Sequence, residues 1–217
     1  MSLQTQVSAT ADLVICLDFT DPESYLALAA SQALVNDLGL TVQWLPLEAG
    51  LGRISSRPPQ VSDDPQVHYK ARRALARQKN AEAELRRTCE LLDIPLANSQ
   101  PQFDASSAAM GLLYVNAMAS NAPQYIEGIY EGIFRQGDPV ATVVTQVLSG
   151  LGIDLASWRD FTAGPGPVVL QQLADELLLM GVFGSPGYLY RGERFQGRQH
   201  LPLLRWYLTG GEGAAPV

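Results

Sequence analysis

Apolar residues along this chain change their spacing twice, and the changes mark out its organisation. Leu13-Val14-Ile15-Cys16-Leu17 is a continuous apolar run closed by Asp18-Phe19, the signature of a strand buried on both faces, which places Cys16 in the core. From Pro22 to Leu38 the period becomes helical, with Tyr25, Leu26, Ala29, Ala33, Leu34 and Leu38 on one face and Gly39 as the stop. Thr41 to Leu47 then alternates, and Pro46 puts that strand at a sheet edge or strand end. Strand, helix, strand is a βαβ unit, whose connection is expected to be right-handed.

After a loop over Leu51 to Pro65, helical spacing persists for about a hundred residues. Ala71, Ala74, Gln78, Ala81, Leu85, Cys89 and Leu92 mark the predicted inner face of a long first helix that ends before Pro95. Further helices are predicted near 105–119, 123–135 and 139–149, with a short one from Leu155 to Phe161 and another from Pro167 to Met180, stopped by Gly181. Strand character returns in Gly187-Tyr188-Leu189-Tyr190, a Gly192-Glu193 turn and Arg194-Phe195. A last helix over about 198–208 turns Leu201, Leu204 and Leu208 inward. The order βαβ, helical block, αββα is an α/β class thioredoxin fold interrupted by a large all-helical insertion. The boundaries read from it are 1–62 and 163–209 for a discontinuous thioredoxin-like domain, 63–162 for the insertion and 210–217 for a flexible tail.

Composition narrows the function classes. With 217 residues, 47% hydrophobic and 17% charged, the chain can bury a sizeable core. It shows neither a secretory leader nor a membrane span, which predicts a soluble cytoplasmic protein whose Cys16 and Cys89 stay reduced. Two histidines, His68 and His200, and two scattered cysteines predict no metal site. A net charge of -7 argues against nucleic acid as a partner. That charge is uneven: Arg53 to Arg87 holds nine Lys/Arg against four acids, a local +5 that leaves -12 on the rest. The plain account is a solvated helix with pairs such as Glu82 to Arg86, and the alternative is a face that meets an anion. Trp44, Trp158 and Trp206 read as packing residues or pocket walls.

Two motifs carry a resemblance. Leu17-Asp18-Phe19-Thr20-Asp21-Pro22-Glu23-Ser24-Tyr25-Leu26-Ala27 resembles the first strand, turn and helix of the DsbA-like family. Its closest likeness is to the branch of 2-hydroxychromene-2-carboxylate isomerase and kappa-class glutathione transferase. Gly181-Val182-Phe183-Gly184-Ser185-Pro186, followed by Gly192-Glu193-Arg194-Phe195-Gln196-Gly197 and a Leu-rich helix, is similar to that branch's closing stretch. There the resemblance implies a cis proline at Pro186, facing the active-site turn. Leu91-Leu92-Asp93-Ile94-Pro95-Leu96 also resembles the branch's "GIPL" junction.

By position, Asp21-Pro22-Glu23-Ser24 stands where dithiol members carry Cys-Pro-x-Cys and isomerase-like members carry Ser-Pro. Disulfide exchange needs a thiolate nucleophile and a resolving thiol, and Asp21 and Ser24 supply neither. Asp21-Pro22 is first a helix cap, the device repeated at Asp64-Pro65 and Asp138-Pro139. In the alternative, Asp21 is a catalytic acid or base and Thr20 and Ser24 offer hydroxyls to a substrate. Ser185 and Pro186 are the residues the resemblance implies for contact with glutathione or a peptide-like ligand, although Gly197-Arg198-Gln199-His200 lacks the acid that the branch commonly places there. Three functions follow: a glutathione-linked isomerase or transferase of a small, aromatic-type substrate; a non-catalytic thioredoxin-fold binding protein; and, by family label only, a DsbA-like oxidoreductase. A homodimer is compatible with each.

Overall fold

A computed structural model of the chain describes residues 7–47, 65–95 and 104–216. The expected loop after Leu51, Asp64 of the second Asp-Pro pair and Leu96 of the junction motif lie outside the described residues. A four-stranded sheet runs in the order β2-β1-β3-β4, with β1 at Leu13–Leu17, β2 at Val42–Pro46, β3 at Gly187–Tyr190 and β4 at Glu193–Gln196. β1 and β2 are parallel, joined through α1 (Pro22–Leu38), and β3 runs antiparallel to both β1 and β4. This is the sheet of a thioredoxin fold, and the helices between β2 and β3 are its insertion: α2 (Pro65–Leu92), α3 (Ser106–Ala117), α4 (Ala122–Tyr130), α5 (Val140–Gly150) and α6 (Leu155–Ala163), followed by α7 (Gly166–Leu179).

Every residue of β1 is buried because it sits between two sheet neighbours and two helical layers. Leu13, Ile15 and Leu17 join Trp44, Tyr188 and Phe195 on the face covered by α1 and by α8 (Leu201–Leu208), while Val14 and Cys16 join Leu45 and Leu189 against Leu170, Leu173 and Leu177 of α7. The free edge of β2 is guarded twice. Pro46 has no N–H to offer, and Asn116 of α3 donates its side-chain amide to the Trp44 carbonyl at 2.8 Å.

Three helical expectations change. In α1, Ala29 and Ala33 are exposed, Leu26 and Leu34 are buried as expected, and Ser24, Ala27, Leu28 and Ser31 complete the inward face; Ser31 reaches the core because its hydroxyl bonds Ala27 O at 2.8 Å and meets Tyr188 OH at 3.0 Å. In α2, Ala74, Gln78, Ala81 and Leu92 face solvent, Ala71, Leu85 and Cys89 are half-buried, and Thr88 is the buried position. An Ala/Gln stripe offers little apolar area to bury, so the helix docks only where longer side chains and specific polar contacts permit. At Asp138-Pro139, Pro139 precedes α5 with no side-chain cap, whereas Asp154 and Asn121 cap α6 and α4 through their side chains. The predicted helix over 123–135 is α4 continued by a π-helical turn at Glu131–Gln136. At the C-terminus, the Trp206 indole N–H donates to the Glu212 carbonyl at 2.9 Å. Among the described residues, no helix is long and apolar enough to cross a membrane.

Candidate functional site

The end of β1, the first turn of α1 and the loop before β3 meet at one corner of the sheet. Asp21 is the N-cap of α1: its Oδ1 accepts from the Glu23 N–H at 3.0 Å, and Pro22 takes the first helical position, where no N–H is needed. The carboxylate at position 21 therefore serves the helix end and favours its positive pole.

Asp18, the residue after β1, organises the interior of this corner. It is 6% exposed, and its Oδ1 accepts both the N–H and the hydroxyl of Thr20, each at 2.7 Å. The Thr20 side chain is thus turned inward. The main-chain N–H of Asp18 is shared between two hydroxyls, Ser24 Oγ at 3.2 Å and Ser185 Oγ at 3.0 Å, and those two oxygens also hydrogen-bond each other. Tyr130, at the end of α4, completes the shell by donating its hydroxyl to the Asp18 carbonyl at 3.0 Å. Burial holds the Tyr130 phenol well above its ordinary value and the Asp18 charge pushes the same way, while a hydrogen bond with Ser24 opposes them.

The Ser185–Pro186 peptide is cis, as the resemblance implies. Ser185 makes no main-chain hydrogen bond to another described residue, while the Pro186 carbonyl accepts from Gly197 N–H at 2.7 Å. That bond sets the start of the last helical segment beside the loop and brings Arg198 to the rim. Arg198 Nε pairs with Glu23 at 2.7 Å and its Nη2 donates to Thr88 Oγ1 at 2.5 Å, tying the α1 turn, the C-terminal part of α2 and the segment after β4 together.

The structure thus brings Ser24, Ser185 and Pro186 to one place, holds Asp21 in a capping role on the same turn and buries Thr20 behind it. Spacing gave no sign of Tyr130, Thr88 or Arg198, because each arrives from an element distant in sequence. Asp18 was visible only as a polar residue closing an apolar run. Cys16 lies in β1 with its thiol pushed up from 9.0 to about 12 by burial, far from nucleophilic. The Cys89 thiol is also raised, chiefly by burial and then by the Glu23 carboxylate. Among the described residues, no group of three or more His, Cys, Asp or Glu side chains could hold a metal ion.

Comparison with known proteins agrees with the fold. The family model described as DSBA-like thioredoxin domain matches residues 13–209. A solved structure of 2-hydroxychromene-2-carboxylate isomerase superposes with a TM-score of 0.68 at 21% identity, covering 91% of this chain and 94% of that one. A probable DsbA oxidoreductase from Streptomyces coelicolor gives 0.68 at 18% identity, covering 96% and 93%. The cytosolic disulfide reductase DsbM from Pseudomonas aeruginosa, solved with GSH, gives 0.59 at 13% identity, covering 92% and 98%. At these identities the likeness shows the fold. No curated protein matches the sequence.

Proposed function

Because the chain belongs to the DSBA-like thioredoxin domain family, we propose that it has replaced dithiol chemistry with a hydroxyl-based site and acts as a glutathione-linked isomerase or transferase of a small, aromatic-type substrate. The observation that carries the reading is the convergence on the Asp18 N–H of Ser24, which stands at the second cysteine position of dithiol members, and Ser185 from the loop before β3. Hydroxyls and helix N–H groups suit an anion or a thiolate, and they transfer no electrons. The main-chain groups of Ser185, which pair with no other described residue, suit an extended, peptide-like ligand such as the cysteinyl part of glutathione. Glutathione accompanies one structural relative, DsbM, which supports the same choice. A reducing cytoplasm fits both that cofactor and two free thiols.

A second reading, a ligand-binding protein without turnover, is favoured by two features. Ser24 is 0% exposed, Asp21 caps the helix end and Glu23 is paired with Arg198, so the acids of the turn are already engaged. Calorimetric titration with glutathione separates the proposals from the absence of a site. Saturable binding that weakens in Ser185→Ala supports a glutathione site, and turnover of an aromatic substrate dependent on glutathione then selects the enzyme. Binding of glutathione that no substrate converts into turnover selects the second reading, and no binding contradicts the glutathione assignment.

A further inference from the structure

We propose that a cavity at the opposite end of the sheet binds a small organic acid with an apolar body, its carboxylate held by Arg191 and Arg194. The cavity lies between the start of β1 and the β3–β4 turn and has a volume of about 540 Å³. That size falls within the roughly 300–1,000 Å³ usual for small-molecule sites. Ala11 and Asp12 line it just before β1, whereas Asp18 follows that strand; Tyr190 and Arg191 line it at the end of β3, whereas Ser185 precedes that strand. At the rise of a strand the two places are about 20 Å apart. The inference is therefore independent of the glutathione-linked reading.

The floor of the cavity is apolar. Val14 and Leu189, partners across the β1–β3 ladder, are buried, and Leu40, Met180 and Leu208 are half-buried around them. Covering such a surface with hydrocarbon in place of water is favourable. The lip is cationic. Arg194 stands opposite Leu189 in the β3–β4 ladder, and its Nη1 donates to the Met180 carbonyl at 2.9 Å, which fixes the guanidinium at the end of α7 and uses one of its several N–H groups. The Arg191 guanidinium lies 5.2 Å from the centre of the Tyr190 ring, itself a cavity wall. Neither arginine forms an ion pair with a described residue, in a chain with 22 acids and 15 Lys/Arg. The acid on the lip is Asp12, and its Oδ2 accepts the Thr41 N–H at 2.8 Å, which ties it toward β2.

The backbone of the turn supplies a second, independent observation. Arg191 and Gly192 are the two residues between β3 and β4, with φ of 48 and 85. A two-residue hairpin turn with both φ positive favours Asn-Gly, because a longer side chain is disfavoured in the left-handed region. Arg191 is thus held against its local preference at the place where its guanidinium reaches the cavity. Turn chemistry does not account for the arginine; an anion at the lip does.

The test titrates the full-length protein with octanoate and follows backbone amide resonances by NMR. Saturable shifts are expected at Ala11 and Gly192, with Ser185 unmoved. Octanol, which lacks the charge, and inorganic phosphate, which lacks the apolar body, should each bind roughly 10-fold more weakly. Arg191→Gly removes the guanidinium and suits the left-handed backbone, so it should keep or raise the unfolding temperature while weakening octanoate roughly 10-fold. A loss of affinity in this variant therefore cannot be ascribed to misfolding. Absence of saturable shifts, shifts centred on Ser185, or equal affinity in Arg191→Gly would overturn the site. Octanol or phosphate binding as tightly as octanoate would overturn the ligand class.

Discussion

Tyr130 shows how much of this corner hangs on one atom. Its hydroxyl is the donor to the Asp18 carbonyl and belongs to a fully buried ring packed against Phe19 at 5.3 Å and Tyr25 at 5.4 Å. Tyr130→Phe keeps the ring contacts and removes one of two donors to the buried Asp18 carbonyl, which keeps the Asp21 N–H at 3.1 Å, so we expect a loss of about 1 kcal/mol in urea unfolding. The unfolding slope should not change. Cys16 supplies a second residue-scale prediction. Its thiol titrates near 12 in the fold and at 9.0 when unperturbed, so the folded state keeps a proton that the unfolded chain gives up. Its contribution is complete below pH 9 and is lost as pH rises from about 9 toward 12. The buried Tyr188 phenol, raised from 10.0 to about 12, adds in the same sense over the upper part of that window. Stability measured against pH should decline across this range, and less steeply in Cys16→Ala. Alkylation at neutral pH should label Cys89 slowly and leave Cys16 untouched until the protein is denatured.

At the scale of elements, the junctions matter more than the helices themselves. α2 carries seven Lys/Arg and three Glu yet meets the sheet domain through its last turns, where Arg198 links Thr88 to Glu23. Arg198→Met should cost about 1 kcal/mol of global stability, since the pair is about one-third exposed. Its clearer effect should be faster amide exchange over 85–92, read by mass spectrometry. At the α3–α4 contact, a Cβ on Gly111 would lie 1.9 Å from the Tyr125 hydroxyl, which donates to the Ala108 carbonyl at 2.9 Å. Gly111→Ala should therefore destabilise by ~1–3 kcal/mol or more through forced displacement of that tyrosine. These junctions also explain what the sequence could and could not disclose. β1, α1, β3 and the stops at Gly39 and Gly181 follow from local apolar spacing and from glycines at φ 60 and 79, so they were readable. The inward face of α2 was not, because an Ala/Gln stripe at helical period carries the spacing of a core face without its apolar area. In the site, the motif located Asp21, Ser24, Ser185 and Pro186, but Tyr130, Thr88 and Arg198 reach it through tertiary packing that spacing along the chain does not encode.

Over the whole molecule, the architecture of the thioredoxin fold is kept, and the residues at its corner are not those of a dithiol site. The strand order, the cis peptide before Pro186 and the helix N-terminus are all present, and the positions for a thiolate and a resolving thiol hold a capping carboxylate and a buried hydroxyl. Of the two thiols elsewhere, one is locked in β1 and the other lies on α2. The central claim is therefore that this member of the family does no dithiol–disulfide exchange. Insulin reduction by the full-length protein, with glutathione as the electron source, tests it most directly. The account predicts a rate indistinguishable from glutathione alone, unchanged in Cys16→Ser and in Cys89→Ser. A rate clearly above that background, abolished by either substitution, would contradict it.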